Sequence, residues 1–346
     1  MSVAKNQLED HLRAKIAAQG PLPFLEYMAL CLDAYYGRLQ AIGRAGDFVT
    51  APELGPYFAD ALAHALAPQL KRYPVLVELG AGTGRLAFDL LTILDRLGVA
   101  PEAYFIQEIS PALAAVQAQT LDALPAHLRQ RIHWQLPDQI EGILLANEVL
   151  DALPVERFIQ TDQGIKRLGV DWQNGQFVEV ILEQLLDFDP PGMVFENGYR
   201  AEFCPGLGAF LETILPRFKT GCAFFIDYGY EREDYYAPHR FNGTLQAYSQ
   251  HQEVSAFLHP GQVDLTAHVD FTSLAELMIA HGWQIDFLKP QNQFMLEQDI
   301  MSRYPLTPEH YALKRLLDPR LMGEVFKVMA AHFPSFLAEE GWGRGG

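Results

Sequence analysis

Val75-Leu76-Val77-Glu78-Leu79-Gly80-Ala81-Gly82-Thr83-Gly84-Arg85-Leu86 is the stretch that decides the fold. An apolar run carrying one acid leads into three glycines at two-residue spacing. A helical pattern then opens with Leu86, Leu90, Leu91 and Leu94. The order is strand, tight turn, helix. Glycines in such a turn let backbone approach a ligand closely, and the N-terminus of the helix offers unpaired N–H groups to an anionic group.

Upstream, Leu8, Leu12 and Ile16 recur at four-residue steps and predict a helix over 5–19, stopped by Gly20-Pro21. A second helix is predicted over 23–36, and a third from Pro56 to about Leu70, with Phe58, Leu62 and Leu66 on one face. Downstream, strands are predicted at 104–108, 131–135 and 142–146. A helix between the first two has Ser110 as cap and Pro111 at its first position. Short runs at 156–161, 165–172 and 177–182, separated by Asp162-Gln163-Gly164 and Gln173-Asn174-Gly175, read as a β-meander. A helix over 206–217 and a buried strand over 221–227 follow. Residues 230–265 read as a long ordered loop, 272–280 as a helix, 283–288 and 293–296 as a closing strand pair, and 306–333 as a helical tail.

Strands alternating with helices predict an α/β, doubly wound parallel sheet. The organisation expected is an N-terminal helical region (1–72), a first half of the core (73–155), an inserted β-rich lobe (156–205), a second half (206–300) carrying the 230–265 insert, and a C-terminal tail (301–346).

Bulk properties narrow the function. The chain has 346 residues, 49% of them hydrophobic, which suffices for a large core with a lobe or for two domains. A net charge of −17, from 43 acids against 26 bases, disfavours binding to nucleic-acid phosphates. Cys31, Cys204 and Cys222 form no CxxC pair, which suits a reducing compartment. The first twenty residues carry charges of both signs and no apolar core of a signal peptide, and no stretch reaches the roughly 20 apolar residues of a membrane span. The expectation is a cytoplasmic, bacterial-type protein.

Ligands of doubly wound sheets bind beyond the C-terminal ends of the strands, so the residues there carry the function. After strand one, the third glycine comes one residue too early for a dinucleotide fingerprint, and Glu78 would repel a pyrophosphate. The E-x-G-x-G-x-G order suits a smaller ligand with an ammonium and a carboxylate, such as S-adenosylmethionine. Glu108, at the end of strand two, is placed to accept both ribose hydroxyls through its two oxygens, or else to face the dipole of the helix that follows. Trp134 and Gln135 follow strand three and could flank an adenine. Asn147, Glu148 and Asp151 cluster after strand four. Paired carboxylates there can orient a guanidinium or accept a proton from an amine; equally, Asn147 could cap a helix with acids in its first turn. Asp227 ends strand five. Gly243-Thr244-Leu245, Tyr248, His251, Gly261 and Asp264 through Phe271 form a His- and Asp-rich set whose spacing matches no usual metal pattern, and a hydrogen-bonded loop network is expected instead. There is no Walker loop and no G-x-S-x-G elbow.

These blocks together resemble the MidA-like methyltransferases, whose mitochondrial member is a complex I assembly factor that methylates a protein arginine. The residues carrying the resemblance are 46–53 (Gly-Asp-Phe-Val-Thr-Ala-Pro-Glu), 78–84, 147–154 (Asn-Glu-Val-Leu-Asp-Ala-Leu-Pro), Asp227-Tyr228-Gly229, Gly243-Thr244-Leu245 and 264–271. The resemblance implies a Rossmann-like class I methyltransferase fold with a seven-stranded sheet, its last strand antiparallel and matched to 293–296. It implies S-adenosyl-L-methionine held at Glu78, Gly80, Ala81, Gly82, Gly84, Glu108, Ile109 and Asn147, with Thr50 and Pro52 in a lid over it. It further implies transfer to an arginine of a protein substrate, with Glu148, Asp151 and Asp227 as the catalytic acids and no metal. A homodimer is a possible assembly. A small-molecule methyltransferase of the same fold, and an assembly factor that binds the cofactor without turnover, are the alternatives.

Overall fold

The computed structural model describes residues 3–37, 51–188, 190, 192–249 and 252–334. By contacts the described residues fall into two compact units. One draws on Val49–Val149, Ala209–Gly229 and Ser273–Gly346, the other on Met1–Phe48, Leu150–Gly208 and Tyr230–Thr272.

The first unit is built on a mixed sheet. Seven strands lie in one path: β1 (Val75–Leu79), β2 (Ala103–Gln107), β3 (Ile132–His133), β4 (Ile140–Asn147), β5 (Phe218–Tyr230), β6 (Gln284–Pro290) and β7 (Phe326–Phe333). Their spatial order is β3-β2-β1-β4-β5-β7-β6, in a sheet that counts eight strands in all. The pairs from β3 to β5 are parallel, and β7 runs antiparallel to both β5 and β6. The order reverses at β1 and β4, which pair directly, Leu79 opposite Ala146. That reversal opens a crevice at the carboxyl ends of these two strands.

The apolar runs decide which strands are central. Ile143 to Ala146 in β4 and Cys222 to Ile226 in β5 are buried, as strands covered on both faces must be. Helix α1 (Tyr57–Leu70) buries Phe58, Leu62 and Leu66, and α2 (Arg85–Arg96) buries Leu86, Leu90, Leu91 and Leu94 in the same core. Helix α3 (Pro111–Leu121) starts as its sequence predicts: Ser110 Oγ accepts from Leu113 N at 3.3 Å, with Pro111 at the first position. Among the described residues no helix is long and apolar enough to cross a membrane, and all three cysteines are free thiols.

Two expectations fail at the C-terminal side. Residues 293–296 are not the last strand; they lie in a helix, Gln291–Glu297, whose N-cap is Pro290. Phe294 and Met295 are core residues, but so short an apolar run has no periodicity to separate strand from helix. The last, antiparallel strand is β7, inside the segment read as a helical tail. Its Val328-Met329-Ala330-Ala331 run suits a helix locally, yet it is hydrogen-bonded on both sides, Ala331 facing Ala223 of β5 and Ile285 of β6. Sheet partners on both edges override the local preference. The tail expectation holds only for the turn Pro308–His310, the short helix Tyr311–Leu317 and the single turn Pro319–Gly323.

The second unit contains helices Val3–Gln19 and Phe24–Tyr36 and a five-stranded antiparallel sheet of Leu22–Pro23, Glu156–Thr161, Gly164–Gln173, Gln176–Leu185 and Arg200–Phe203. The meander is where the sequence puts it. Asn174 and Gly175, at φ 52° and 82°, make its second hairpin turn. Residues 230–265 are more ordered than a loop: they carry a short helix, Arg232–Tyr235, and most of a three-stranded sheet made by Gln246–Ser249, Gln252–Glu253 and Asp264–Thr266. These strands are only two to four residues long, below the length at which alternation is visible.

One buried charge in the parallel sheet has a consequence for stability. Glu78, on β1, is 2% exposed and accepts a hydrogen bond from Tyr104 Oη at 2.8 Å. Burial pushes its carboxyl up from 4.5 to about 7; the Tyr104 hydrogen bond opposes this, and the charge of Glu108 adds to it. A raised folded-state value means that the protonated form is favoured by folding. The contribution is complete below pH 4.5 and is lost as pH rises through about 7. Denaturant titrations should therefore show stability falling between pH 5 and pH 8 by on the order of 2 kcal/mol, and Glu78→Gln should flatten that slope. An unchanged slope in the variant would remove Glu78 as its source.

Candidate functional site

The site is built on the turn from β1 to α2. Gly80, Gly82 and Gly84 all have positive φ, at 60°, 52° and 79°. A Cβ on Gly80 would stand 3.0 Å from Val149 Cγ2, and one on Gly84 would stand 3.2 Å from Gln117 Cα. The turn is thus fitted between the end of β4 and helix α3, and glycine is what allows it. Gly80 N donates to Gln107 O of β2 at 3.0 Å, and Gly84 N to Ala81 O at 2.7 Å. Gly84 caps α2 with no side-chain hydrogen bond, which leaves the first turn of that helix to an external acceptor. Ala81 is buried within the turn.

Sequence-predicted residues lie on the Ala51–Leu54 turn, just past β2 and just past β3. Thr83 Oγ1 donates to Glu53 Oε1 at 2.8 Å, so the Ala51–Leu54 turn, with Pro52 buried in it, is tied to the glycine loop. Thr50 and the rest of the 46–50 block lie outside the described residues. Glu108 stands just past β2. Its Oε1 accepts from Ser110 N and its Oε2 from Gln117 Nε2, both at 2.8 Å. One oxygen thus serves the start of α3, and acceptor capacity is left on each oxygen. Ile109, beside it, is 90% exposed, an apolar side chain held out in the open at a strand end. Trp134 is 41% exposed, and its indole N–H donates to Gln117 Oε1 at 3.0 Å.

At the end of β4, Asn147 Nδ2 donates to Glu148 Oε1 at 3.1 Å. Glu148 is one of four non-glycine residues at positive φ among those described, at 54°, held by its own N–H donating to Ile226 O of β5 at 2.8 Å. Such a conformation for a non-glycine residue costs on the order of 1 kcal/mol and is found where a side chain has to be aimed. Asp227, 1% exposed, accepts from Val149 N at 3.2 Å and from Tyr228 N at 2.9 Å. Each of its oxygens holds a backbone amide, so it fixes the loop that bears Glu148. Asp151 belongs to the second unit, where it is buried and its carbonyl accepts from Ala267 N at 3.0 Å.

The His- and Asp-rich set also lies in the second unit and is the hydrogen-bonded network expected. Thr244 donates to buried Glu202 through its hydroxyl at 2.7 Å and accepts from His268 N at 2.9 Å, while Tyr36 Oη donates to Asp264 at 3.3 Å. Burial lowers His268 to about 4, with the charge of Arg240 acting in the same direction. His251 lies outside the described residues. Among the described residues no group of three His, Cys, Asp or Glu side chains is placed to hold a metal.

Sequence reasoning names Asn147 but misses Gln107 and Gln117. Gln107 Oε1 and Asn147 Oδ1 are buried acceptors with no partner among the described residues, one at the end of β2 and one at the end of β4. Strand-end position was the available signal for Gln107. Gln117, on α3, has no local signal at all. Unpaired acceptors, a pinned carboxylate and an uncapped helix start form a set suited to a ligand with an ammonium, a carboxylate and vicinal hydroxyls. The amino-acid nucleoside named above fits it.

Comparison with known proteins agrees with that chemistry. Residues 54–288 match the family described as S-adenosyl-L-methionine-dependent methyltransferase. A crystal structure from Burkholderia thailandensis bound to S-adenosyl-homocysteine superposes with a TM-score of 0.88 at 34% identity, over 96% of this chain and 94% of the other. A native crystal structure from the same organism gives 0.85 at the same identity and covers 96% and 93%. Among curated relatives, the Drosophila melanogaster homolog of the mitochondrial protein arginine methyltransferase NDUFAF7 is 30% identical over 96% of this chain and 86% of its own. The Danio rerio protein is 28% identical over 98% and 89%. With its glycine turn, strand order and near full-length matches in accord, this chain belongs to the MidA-like family of class I methyltransferases, whose cofactor is S-adenosyl-L-methionine.

Proposed function

We propose that the protein transfers a methyl group to an arginine side chain of a protein substrate. The observation that carries the reading is Glu148, a carboxylate held at positive φ beside Asn147 at the crevice of the sheet. The protein arginine methyltransferase relatives, aligned over nearly the whole chain, support the choice of acceptor. The net charge of −17 is compatible with a basic peptide.

In this reading the glycine turn, Glu108, Ile109 and Asn147 hold the cofactor, with Pro52 over it. Glu108 takes the ribose hydroxyls, and the start of α2 takes the carboxylate. Gln107 and Asn147 offer acceptors to the ammonium. When bound, the cofactor supplies an electrophilic methyl on a sulfonium sulfur. A guanidinium has a pKa above about 12 and is a poor nucleophile while protonated. Glu148 holds it by charge-assisted hydrogen bonds and localises its charge, so that one nitrogen is left to attack. Asn147 orients Glu148, and Asp227 fixes the loop beneath it. The acceptor nitrogen gives up its proton as the new bond forms, and Glu148 stands ready to accept it.

Glu148→Gln should keep affinity for S-adenosyl-homocysteine within about two-fold and lower transfer by about 100-fold or more, the scale of a lost charge-based orienting group. Calorimetry beside a methyl-transfer assay separates the two effects, and unchanged turnover would sink the role. Gly80→Val should weaken cofactor binding by more than about ten-fold, because a β-branched side chain is strained at positive φ and meets Val149. Normal affinity in a folded variant would refute the loop assignment. The acceptor itself is tested by mass spectrometry of methylated peptides from cells with and without the protein. Methylarginine peptides lost with it are expected; loss only of methylated small molecules would replace the protein acceptor.

A further inference from the structure

Gln117 uses both donors and one acceptor position of its side-chain amide, and each partner comes from a different part of the cofactor edge. Its Nε2 donates to Gly82 O at 3.1 Å and to Glu108 Oε2 at 2.8 Å. Its Oε1 accepts from Trp134 Nε1 at 3.0 Å. The residue is fully buried, and its Cα, Cβ and Cγ lie where a Cβ on Gly84 would stand, at 3.2 to 3.5 Å. One neutral side chain therefore joins the glycine turn, the strand-end acid and the tryptophan.

The consequence falls on Glu108. A carboxylate has about four acceptor positions, two on each oxygen, all in one plane. Ser110 N takes one on Oε1, and Gln117 takes one on Oε2. With both oxygens pinned, the plane of the carboxylate cannot rotate. One acceptor position is left on each oxygen. The Gln117 amide is uncharged, so it orients Glu108 without the ion pair that a lysine or arginine there would make.

We propose that Gln117 is a positioning residue that sets the ribose selectivity of the site, acting through Glu108. It rests on the placement of the cofactor ribose at Glu108 given above. Gln117 touches no reacting atom in this role; it fixes the acceptor geometry that distinguishes a ribose from a 2′-deoxyribose.

The test is calorimetry on the full chain with two probes, S-adenosyl-homocysteine and its 2′-deoxyribosyl analogue. The unaltered protein should prefer the first by about ten-fold, the scale of one hydrogen bond to a charged acceptor. Gln117→Met keeps the length of the side chain without its hydrogen bonds and should bring the ratio close to one, mainly by weakening S-adenosyl-homocysteine. Glu108→Gln should do the same, and the double variant should be no worse than Glu108→Gln alone, because the two residues act in series. Gln117→Glu gives a second readout should the first variant fold poorly. Its carboxylate keeps the size of the side chain but donates no hydrogen bond to Glu108, so the ratio should fall toward one with the packing preserved. A packing role would leave the ratio intact in this near-isosteric variant. If Glu108→Gln abolishes the ratio while Gln117→Met and Gln117→Glu leave it intact, the role of Gln117 is overturned and the ribose placement stands. If Glu108→Gln leaves the ratio intact, the ribose placement fails and the proposal with it.

Discussion

The turn from Leu79 to Arg85 has to reverse the chain in a space already filled by Val149 on one side and Gln117 on the other. Only backbone fits there. Three residues at positive φ solve the problem, and at Gly80 and Gly84 a neighbour makes a close approach where a side chain would have stood. The rest of the cofactor edge is arranged around this lack of volume. Strand β2 comes near enough for Gly80 N to reach Gln107 O, α3 packs its buried glutamine against Gly84, and the Ala51–Leu54 turn reaches Thr83.

Three carboxylates near this edge show how environment divides one chemical group into three tasks. Glu78 is buried with a tyrosine donor and raised to about 7, so it titrates near neutrality. Asp227 is equally buried but holds two backbone amides, which commits it to the shape of a loop. Glu108 is only partly covered, is pinned through both oxygens and retains acceptor capacity for an outside donor. Their positions at strand ends are alike, and what differs is the donors that the neighbouring elements bring.

Much of this architecture is legible in the sequence because it is local. The glycine spacing, the Ser110-Pro111 helix start, the Asn174-Gly175 hairpin and the apolar runs of β4 and β5 each state their structure within a few residues. The failures have a common physical origin. The 293–296 run is too short for a period to appear, and β7 is a strand only because β5 and β6 supply partners far away in sequence. Gln117 shows no local sign of its three contacts, since they lie on a loop, a strand end and a neighbouring segment. In the candidate site, a strand-end rule names positions, whereas a buried amide on a helix needs tertiary structure to be noticed.

The position of β7 bears on the order in which the protein can be made. It lies between β5 and β6, so β6 has no partner in the path, and β5 lacks its antiparallel one, until the chain has been synthesised past Phe333. Thr220 and Phe333, joined by a hydrogen bond, are 113 residues apart. Closing such a distance is slow, and β5 meanwhile presents a long apolar edge. A ribosome-bound chain therefore carries an open sheet whose parallel part is already encoded, and the antiparallel strand that shuts it arrives last. Shielding that edge during synthesis is a demand that the topology places on the cell's chaperones rather than on the folded enzyme.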